Sequence, residues 1–325
     1  MWEGRVSEKD DRFLSVRLIL FQISVIIPVY NAADFVKVAV DSALSQPQVE
    51  EVILIEDGSM DDSFNECKRV AASNPKVRLF CHDNHHNRGV SASRNLGISK
   101  ASFEFIAFLD ADDWYNEGRF KKDEQMFQDA NVMASYSMSS ISLNTREVMF
   151  GYRSDILQET QVREQSKFYH YVISNNIILG HTNCNTFRKV VFHKAGFFDE
   201  RLNLHQDTEM WNRIARHYLW DAGELSRSIS VARRHSGNRI ANRSKRSEII
   251  HQLVWMDNIG IKNLHGFEKK AVIYHLARAL SNPIKNHFLR KSVLHGFQCL
   301  ANATRPVFIL VFYRWGMRKY NLYKT

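Results

Sequence analysis

An apolar run ends abruptly in acid in the segment Phe103-Glu104-Phe105-Ile106-Ala107-Phe108-Leu109-Asp110-Ala111-Asp112-Asp113. The run reads as a buried strand of a parallel sheet. In open α/β sheets, ligands bind at the carboxyl ends of the strands. Asp110 and Asp112 stand two apart, so in extended backbone they project to the same side. Carboxylates aimed at one point repel unless a cation sits between them. Hard oxygen ligands favour Mg²⁺ or Mn²⁺, metals that bridge carboxylate and phosphate. In isolation, a strand followed by an acidic turn or helix cap has the same pattern.

Three further segments carry chemistry-bearing residues. Glu56-Asp57-Gly58-Ser59-Met60-Asp61-Asp62-Ser63 places an acid at a strand tip, then Gly and Ser entering a helix. A carboxylate there can accept a nucleobase N–H, and an ordinary turn with a cap is the competing account. Asn87-Arg88-Gly89-Val90-Ser91-Ala92-Ser93-Arg94-Asn95-Leu96-Gly97 opens another helix with backbone N–H groups and arginine. Arginine contacts phosphate bidentately and is permanently charged. Far downstream, Gly196 to Leu202 and then His205-Gln206-Asp207-Thr208-Glu209-Met210-Trp211-Asn212-Arg213 place Asp207 just before a helix. Asp207 can cap that helix and also act as a base.

The elements around these segments alternate. Ile23–Val29 is a β-branched strand, Asp34–Leu44 has helical spacing, and Glu51–Ile55 is a second strand. Asp61–Ala72 is a second helix, with Ser59 as its expected N-cap. Lys76–Cys81, Val90–Ala101 and Phe103–Asp110 continue the rhythm as strand, helix and strand. Such alternation means βαβ crossovers and a parallel sheet with helices on both faces. No G-x-G-x-x-G follows the first strand, which disfavours dinucleotide binding. Beyond Asp113, Val132–Leu143 and Arg146–Tyr152 read as strands, and Gln161–Ser174 and Thr208–His217 as helices. From Ser247 the pattern is helical almost throughout, including Ala271–Leu280 and Phe288–Leu300. The resulting division is an N-terminal extension (1–22), an α/β domain (23–240) and a mainly helical C-terminal region (241–325).

The 325 residues are 44% hydrophobic, enough for a large core. Four scattered cysteines without a C-x-x-C pair argue against a disulfide framework and a structural zinc site, and fit a reducing cytoplasm. The first 22 residues lack the apolar stretch of a signal peptide, and no segment approaches the ~20 apolar residues of a membrane span. The net charge is +9; six basic residues and no acid lie between Arg233 and Arg246, and five and none between Arg305 and Lys324. Each run reads first as a solvated face. A nucleic-acid partner is suggested by net charge alone, without an aromatic-basic recognition motif, and is not expected.

Taken together, Ser24-Val25-Ile26-Ile27-Pro28-Val29-Tyr30-Asn31, Glu56–Ser63, Asn87–Gly97, Phe108–Trp114 and Gly196–Arg213 resemble the inverting nucleotide-sugar glycosyltransferases of family 2. The resemblance spans Ile23 to His235 and implies a GT-A fold, a Rossmann-like, mostly parallel sheet flanked by helices. It implies that Pro28, Val29 and Asn31 line a nucleotide pocket and that Asp57 hydrogen-bonds the base, usually uracil. Arg94 would reach the base or diphosphate. Asp110 and Asp112, around Ala111, match the metal-binding Asp-x-Asp, with Asp112 the main ligand. His235 falls where relatives place a residue on the metal or diphosphate. Asp207 matches the general base. The implied reaction is metal-dependent (Mn²⁺ or Mg²⁺) transfer from a UDP-sugar to a hydroxyl of a glycan or lipid-linked acceptor, in surface polysaccharide or lipopolysaccharide synthesis.

The chain departs from the family pattern twice. Glu56 stands where an Asp is usual, and Gln206 replaces the acid that usually precedes the base. The second change removes a like charge beside Asp207. Competing readings are a degenerate nucleotide-sugar-binding module, a nucleotidyltransferase and a glycoside hydrolase. The first is opposed by the intact Asp110, Asp112 and Asp207, and the second by Tyr30-Asn31-Ala32-Ala33, which is not Gly-rich. The third needs no nucleotide-facing turn. The apolar, aromatic and basic tail, 306–325, has two readings. One is an interfacial helix on an anionic membrane, which would make the enzyme peripheral on the inner face of the cytoplasmic membrane. The other is a helix docked on the domain or on a second subunit.

Overall fold

The computed structural model describes residues 19–143, 146–150, 164–234, 244–281, 292, 295–296 and 305–323. In chain order its strands and α-helices are β1 (Ile23–Val29), α1 (Val36–Leu44), β2 (Val49–Glu56), α2 (Ser63–Ser73), β3 (Val77–Cys81), α3 (Val90–Lys100), β4 (Phe105–Phe108), β5 (Trp114–Tyr115), α4 (Lys121–Met126), β6 (Ala134–Tyr136), β7 (Ser139–Leu143), β8 (Arg146–Phe150), α5 (Gln165–Asn175), β9 (Asn185–Arg188), α6 (Val191–Ala195), α7 (Gln206–His217), β10 (Trp220–Ala222), β11 (Ser230–Arg233), α8 (Lys245–Ile259), α9 (Gly266–Ser281) and α10 (Arg305–Lys319).

The main sheet has seven strands in the order β10-β6-β9-β4-β1-β2-β3. β1 pairs in parallel with both β2 and β4, and β2 with β3. Period-two alternation sorts the side chains of these strands between two faces. Ile26, Ile53, Ile55, Ile106 and Phe108 enter one core with α3, α5 and α7. Val25, Ile27, Val52, Leu54 and Ala107 enter the other, with α1 and α2. Burial on both faces explains why these strands read as unbroken apolar runs. Gly97 lets α3 lie against β1, since a Cβ there would collide with the Ile26 side chain.

Past β4 the order becomes less regular. β9 inserts antiparallel between β4 and β6. The expected strand over 132–143 divides: β6 joins the main sheet, and β7 joins a four-stranded sheet ordered β5-β11-β7-β8. That second sheet sets Arg233 beside the acidic end of β4. The expected Ser59 cap is also corrected. Asp62 occupies the N-cap position of α2 without a side-chain cap bond, and the Ser59 hydroxyl accepts the Asn31 N–H instead. Most of Phe288–Leu300, together with Tyr152 and His235, lies outside the described residues.

Ser244 caps α8 through a reciprocal pair with Ser247. Ile249, Leu253, Trp255 and Met256 of α8, and Val272, Ile273 and Leu276 of α9, belong to the same buried cluster as Phe187 and Trp211. Arg201 ties this region down. Its Nη1 donates to Asp257 Oδ2 at 2.7 Å and to the Leu322 carbonyl at 2.6 Å, while Nε and Nη2 hold both oxygens of Asp199. Among the described residues, no helix is long and apolar enough to cross a membrane.

Candidate active site

The carboxyl ends of β1, β2 and β4 open into a cleft of about 870 Å³. Pro28, Val29, Asn31, Asp57, Arg94, Asp110, Ala111, Asp112 and Asp207 all line it. Of the residues singled out in the sequence, only His235 cannot be placed, because it falls outside the described residues.

On the sheet side, backbone hydrogen bonds fix the acids. Asp57 is buried; its Oδ1 accepts the Arg88 N–H at 2.7 Å and its Oδ2 the Gly89 N–H at 2.9 Å. These bonds hold the loop that leads into α3. The buried His82 Nε2 lies 3.6 Å from Oδ1, and Oδ2 keeps a further lone pair for a ligand. Glu56 accepts the N–H groups of Gly58 and Ser59, and so closes its own turn. Gly58 has φ +70°, and a Cβ there would strike the backbone of His85 to Asn87. Asn31, at φ 49°, accepts the Met60 N–H on its side-chain oxygen at 2.8 Å. Asparagine tolerates this left-handed conformation better than most residues. The loops after β1 and β2 are thereby stitched together.

Arg94 is 2% exposed and donates one N–H to Asp110 Oδ1 at 2.8 Å. Its Nε and Nη1 have no hydrogen-bond partner among the described residues. A buried guanidinium with spare donors is suited to a bidentate anion.

The acidic end of β4 is organised by Asn183, which is fully buried. Its side-chain oxygen accepts the Asp110 N–H at 3.0 Å, and its amide nitrogen donates to Asp113 at 2.6 Å. Arg119, also buried, donates to the carbonyls of Asn183 and Asn185 and pairs with Asp123 at 2.8 Å, which pins this loop from below. Asp113 accepts the Arg233 N–H on its other oxygen. Burial, with Asp112 and Asp110 beside it, pushes the Asp113 carboxyl well above its ordinary range. Ligand atoms of Asp110, Asp113 and His181 lie within 4.8 Å of one another. Two carboxylates and an imidazole suit Mn²⁺ or a similar divalent cation, and a cation would relieve the crowded negative charge. The residues present therefore fit the expected metal. Asp112 is not in that trio; its carbonyl accepts Arg233 Nε at 3.0 Å. The sequence pattern does not mark His181, Asn183 and Asp113 as site residues. Asp113 stands in the acidic run itself, and an Asn-rich stretch, Asn183-Cys184-Asn185, is the signal near the other two.

Asp207 is half-buried in the first turn of α7, not at its cap. The cap position belongs to His205, at φ 64°, which makes no side-chain cap bond. Asp207 Oδ1 accepts the Thr208 N–H at 2.7 Å. Beyond it the cleft continues between α5, α7, α8 and α9, past Val172, Ile173, Gln206, Gln252, Trp255 and Ala271.

A mostly parallel sheet with a cleft at its carboxyl edge and an Asp-x-Asp at the end of β4 defines a GT-A-type glycosyltransferase domain. The chain belongs to glycosyl transferase family 2, whose sequence profile matches residues 24–196. It is similar to the Escherichia coli UDP-Glc:alpha-D-GlcNAc-diphosphoundecaprenol beta-1,3-glucosyltransferase WfaP, 32% identical over 116 residues, or 35% of this chain and 45% of that one. It is also similar to the Bacillus subtilis minor teichoic acid biosynthesis protein GgaB, 27% identical over 199 residues, 60% of this chain and 21% of that one. The matched stretches span from 16% to 50% of the length of such curated relatives. In fold it resembles S. aureus TarS, residues 1–349, solved in complex with UDP-GlcNAc. That likeness has a TM-score of 0.60 at 17% identity and covers 85% of this chain and 79% of that one.

Proposed function

We propose that this protein is a metal-dependent inverting glycosyltransferase that moves a sugar from a UDP-sugar to a hydroxyl of a glycan or lipid-linked acceptor. The observation that carries the reading is a buried arginine with spare donors, Arg94, in one cleft with Asp57, Asp110 and Asp207. The nucleotide lies against Pro28, Val29, Asn31 and Asp57, and Arg94 faces the base or diphosphate. A divalent cation held by Asp110 with Asp113 and His181, or by Asp110 with Asp112 and His235, would supply positive charge to the departing diphosphate. Asp207 takes the proton of the acceptor hydroxyl as that oxygen attacks the anomeric carbon. The new C–O bond forms opposite the breaking one, UDP leaves with the bonding pair, and the configuration inverts. The named relatives, a diphosphoundecaprenol glucosyltransferase and a teichoic acid biosynthesis protein, support a role in assembling cell-envelope glycans, and the reading places that work at the inner face of the cytoplasmic membrane.

The outer face of α10 supports contact with that membrane. Leu310, Val311 and Trp315 are exposed beside Arg314, Arg318 and Lys319, while Ile309 and Met317 are buried. Apolar and cationic side chains on one face suit an anionic lipid surface. Flotation on phosphatidylglycerol vesicles should be lost when 306–325 are removed; undiminished flotation would dispose of this contact.

The reaction is tested by UDP release from a panel of UDP-sugars with Mn²⁺, Mg²⁺ or EDTA. Turnover of one donor that EDTA abolishes is expected. His181→Ala and Asp112→Ala separate the two ligand sets, according to which substitution raises the metal requirement. A chain that neither binds UDP nor turns over any donor would overturn the reading.

A further inference from the structure

Outside the cleft, three kinds of metal ligand converge at the carboxyl tips of β2 and β3. Glu56 ends β2 and Cys81 ends β3, and the two are register partners across that parallel pair. His85 follows in the loop after β3. One carboxylate oxygen, the thiol sulfur and one imidazole nitrogen lie within 4.8 Å of one another. Glu56 is buried, Cys81 half-buried and His85 exposed, so the trio meets solvent on the His85 side. None of the three lines the catalytic cleft. The backbone takes an uncommon path to place the imidazole. Asn84 and His85 both stand in the left-handed region, at φ 57° and 52°. Non-glycine residues enter that region singly; two in a row are held there by their surroundings. The His85 carbonyl occupies the space that a Cβ on Gly58 would need, and the His85 ring stands edge-on to Phe64 at 5.1 Å. The nearby His82 is turned inward, with Nε2 3.0 Å from Ser93 Oγ, and is not part of the trio.

We propose that Glu56, Cys81 and His85 form a second metal site, for a borderline-soft cation of the zinc class. Thiolate, imidazole and carboxylate together suit Zn²⁺, whereas Mg²⁺ and Mn²⁺ favour oxygen. Around a tetrahedral zinc the ligand atoms stand roughly 3.3–3.6 Å apart, so a rotation of the exposed His85 side chain closes the shell. Three protein ligands leave the fourth position to water. Glu56 keeps its bonds from the Gly58 and Ser59 N–H groups, because each carboxylate oxygen has a further lone pair. Burial and the Glu56 carboxylate push the Cys81 thiol up. A bound cation displaces the thiol proton and ends the conflict of like charges. Lys68, whose charge also reaches Cys81, holds its Nζ over the Phe64 ring at 4.0 Å and has no lone pair for a cation. The lack of a C-x-x-C pair weighs against zinc held by paired cysteines, and a mixed trio from two strand tips and a loop escapes that criterion. Glu56 is also a position where the chain departs from the family pattern, which ties the site to this chain and not to the family's reaction. When occupied, the site fastens the tips of β2 and β3 to the loop whose Arg88 and Gly89 N–H groups hold Asp57. A cation bound outside the cleft thereby stiffens its sheet end.

The test uses the full chain, stripped with EDTA and dialysed into excess Mg²⁺, with Co²⁺ and Zn²⁺ as the probes. Stoichiometric Co²⁺ should produce thiolate-to-metal charge-transfer absorption, and Zn²⁺ should displace it. Cys81→Ser should abolish the band. His85→Asn keeps a residue that tolerates positive φ and removes the imidazole. It should weaken Co²⁺ and Zn²⁺ at least ~100-fold, since loss of even an outer-shell partner typically costs about 10- to 100-fold. His181→Ala should leave the band in place, which separates this site from the acids at the end of β4. No thiolate band in the wild type, a band that survives Cys81→Ser, undiminished affinity in His85→Asn, or a band lost in His181→Ala overturns the site. UDP and sugar take no part in these readouts, so they decide the site whether or not the transferase reading holds.

Discussion

The two ends of the cleft are built in different ways. At the sheet end the acids are already held: Asp57 by two backbone N–H groups, Glu56 by two more, and Asp113 by Asn183 and Arg233. Among the described residues, the charged group there with unpartnered donors is Arg94. The helical end mixes kinds: Gln206, Gln252 and Trp255 line it together with Glu248, His275 and Arg278. The sheet end is thus organised by charges fixed on strand-end loops, and the helical end by side chains from several packed helices. That difference is why the sheet end announces itself by its acids while the helical end carries no comparable signature.

The largest effect is expected from Asp207→Asn, which should lower transfer roughly a thousandfold, within the range typical of a general base, while UDP affinity stays put. Equal loss of UDP affinity and of rate would remove Asp207 from the chemistry. Asn183→Ala cuts the strap between Asp110 and Asp113 and should raise the metal concentration for half-activity by about 10- to 100-fold. Gly58→Ala forces a Cβ into the backbone near His85 and should cost about 1–3 kcal/mol of stability, read from chemical denaturation. It should weaken UDP as well.

The smallest effect concerns how the helical end is attached. Burial would raise the Asp199 carboxyl, but the Arg201 guanidinium beside it outweighs this and holds it below its ordinary value. A carboxylate depressed in the folded state stabilises fully above its unfolded value, near ~3.9, and loses that contribution as pH falls through the folded value. Asp199→Asn should therefore flatten the acid limb of the stability curve below about pH 4 and lower stability at neutral pH. A variant with an unchanged acid limb would show that the pair is inert.

The parallel core was legible because its strands are buried on both faces. β1, β2, β3 and α3 fall within two residues of where their apolar runs place them. Asp57, Arg94, Asp110 and Asp207 were legible as members of a spaced pattern that no one of them reveals alone. β9 was not, since Asn185-Thr186-Phe187-Arg188 has too little apolar signal to announce a buried strand. Asn183 and His181 gain meaning only when β9 brings them under β4. Gln252 and Trp255 were invisible for a related reason. They lie on a helix buried along much of its circumference, where polar side chains facing the cleft break no periodic pattern.

Arg201 reaches the carbonyl of Leu322, 121 residues further along the chain. A chain made from its N-terminus gains the sheet end of the cleft before the helical end. The clamp that seats α8 waits until Leu322 has been synthesised. A nascent chain can thus hold the strand-end loops before their helical wall is seated, so the two ends of one cleft are completed at different moments of its birth.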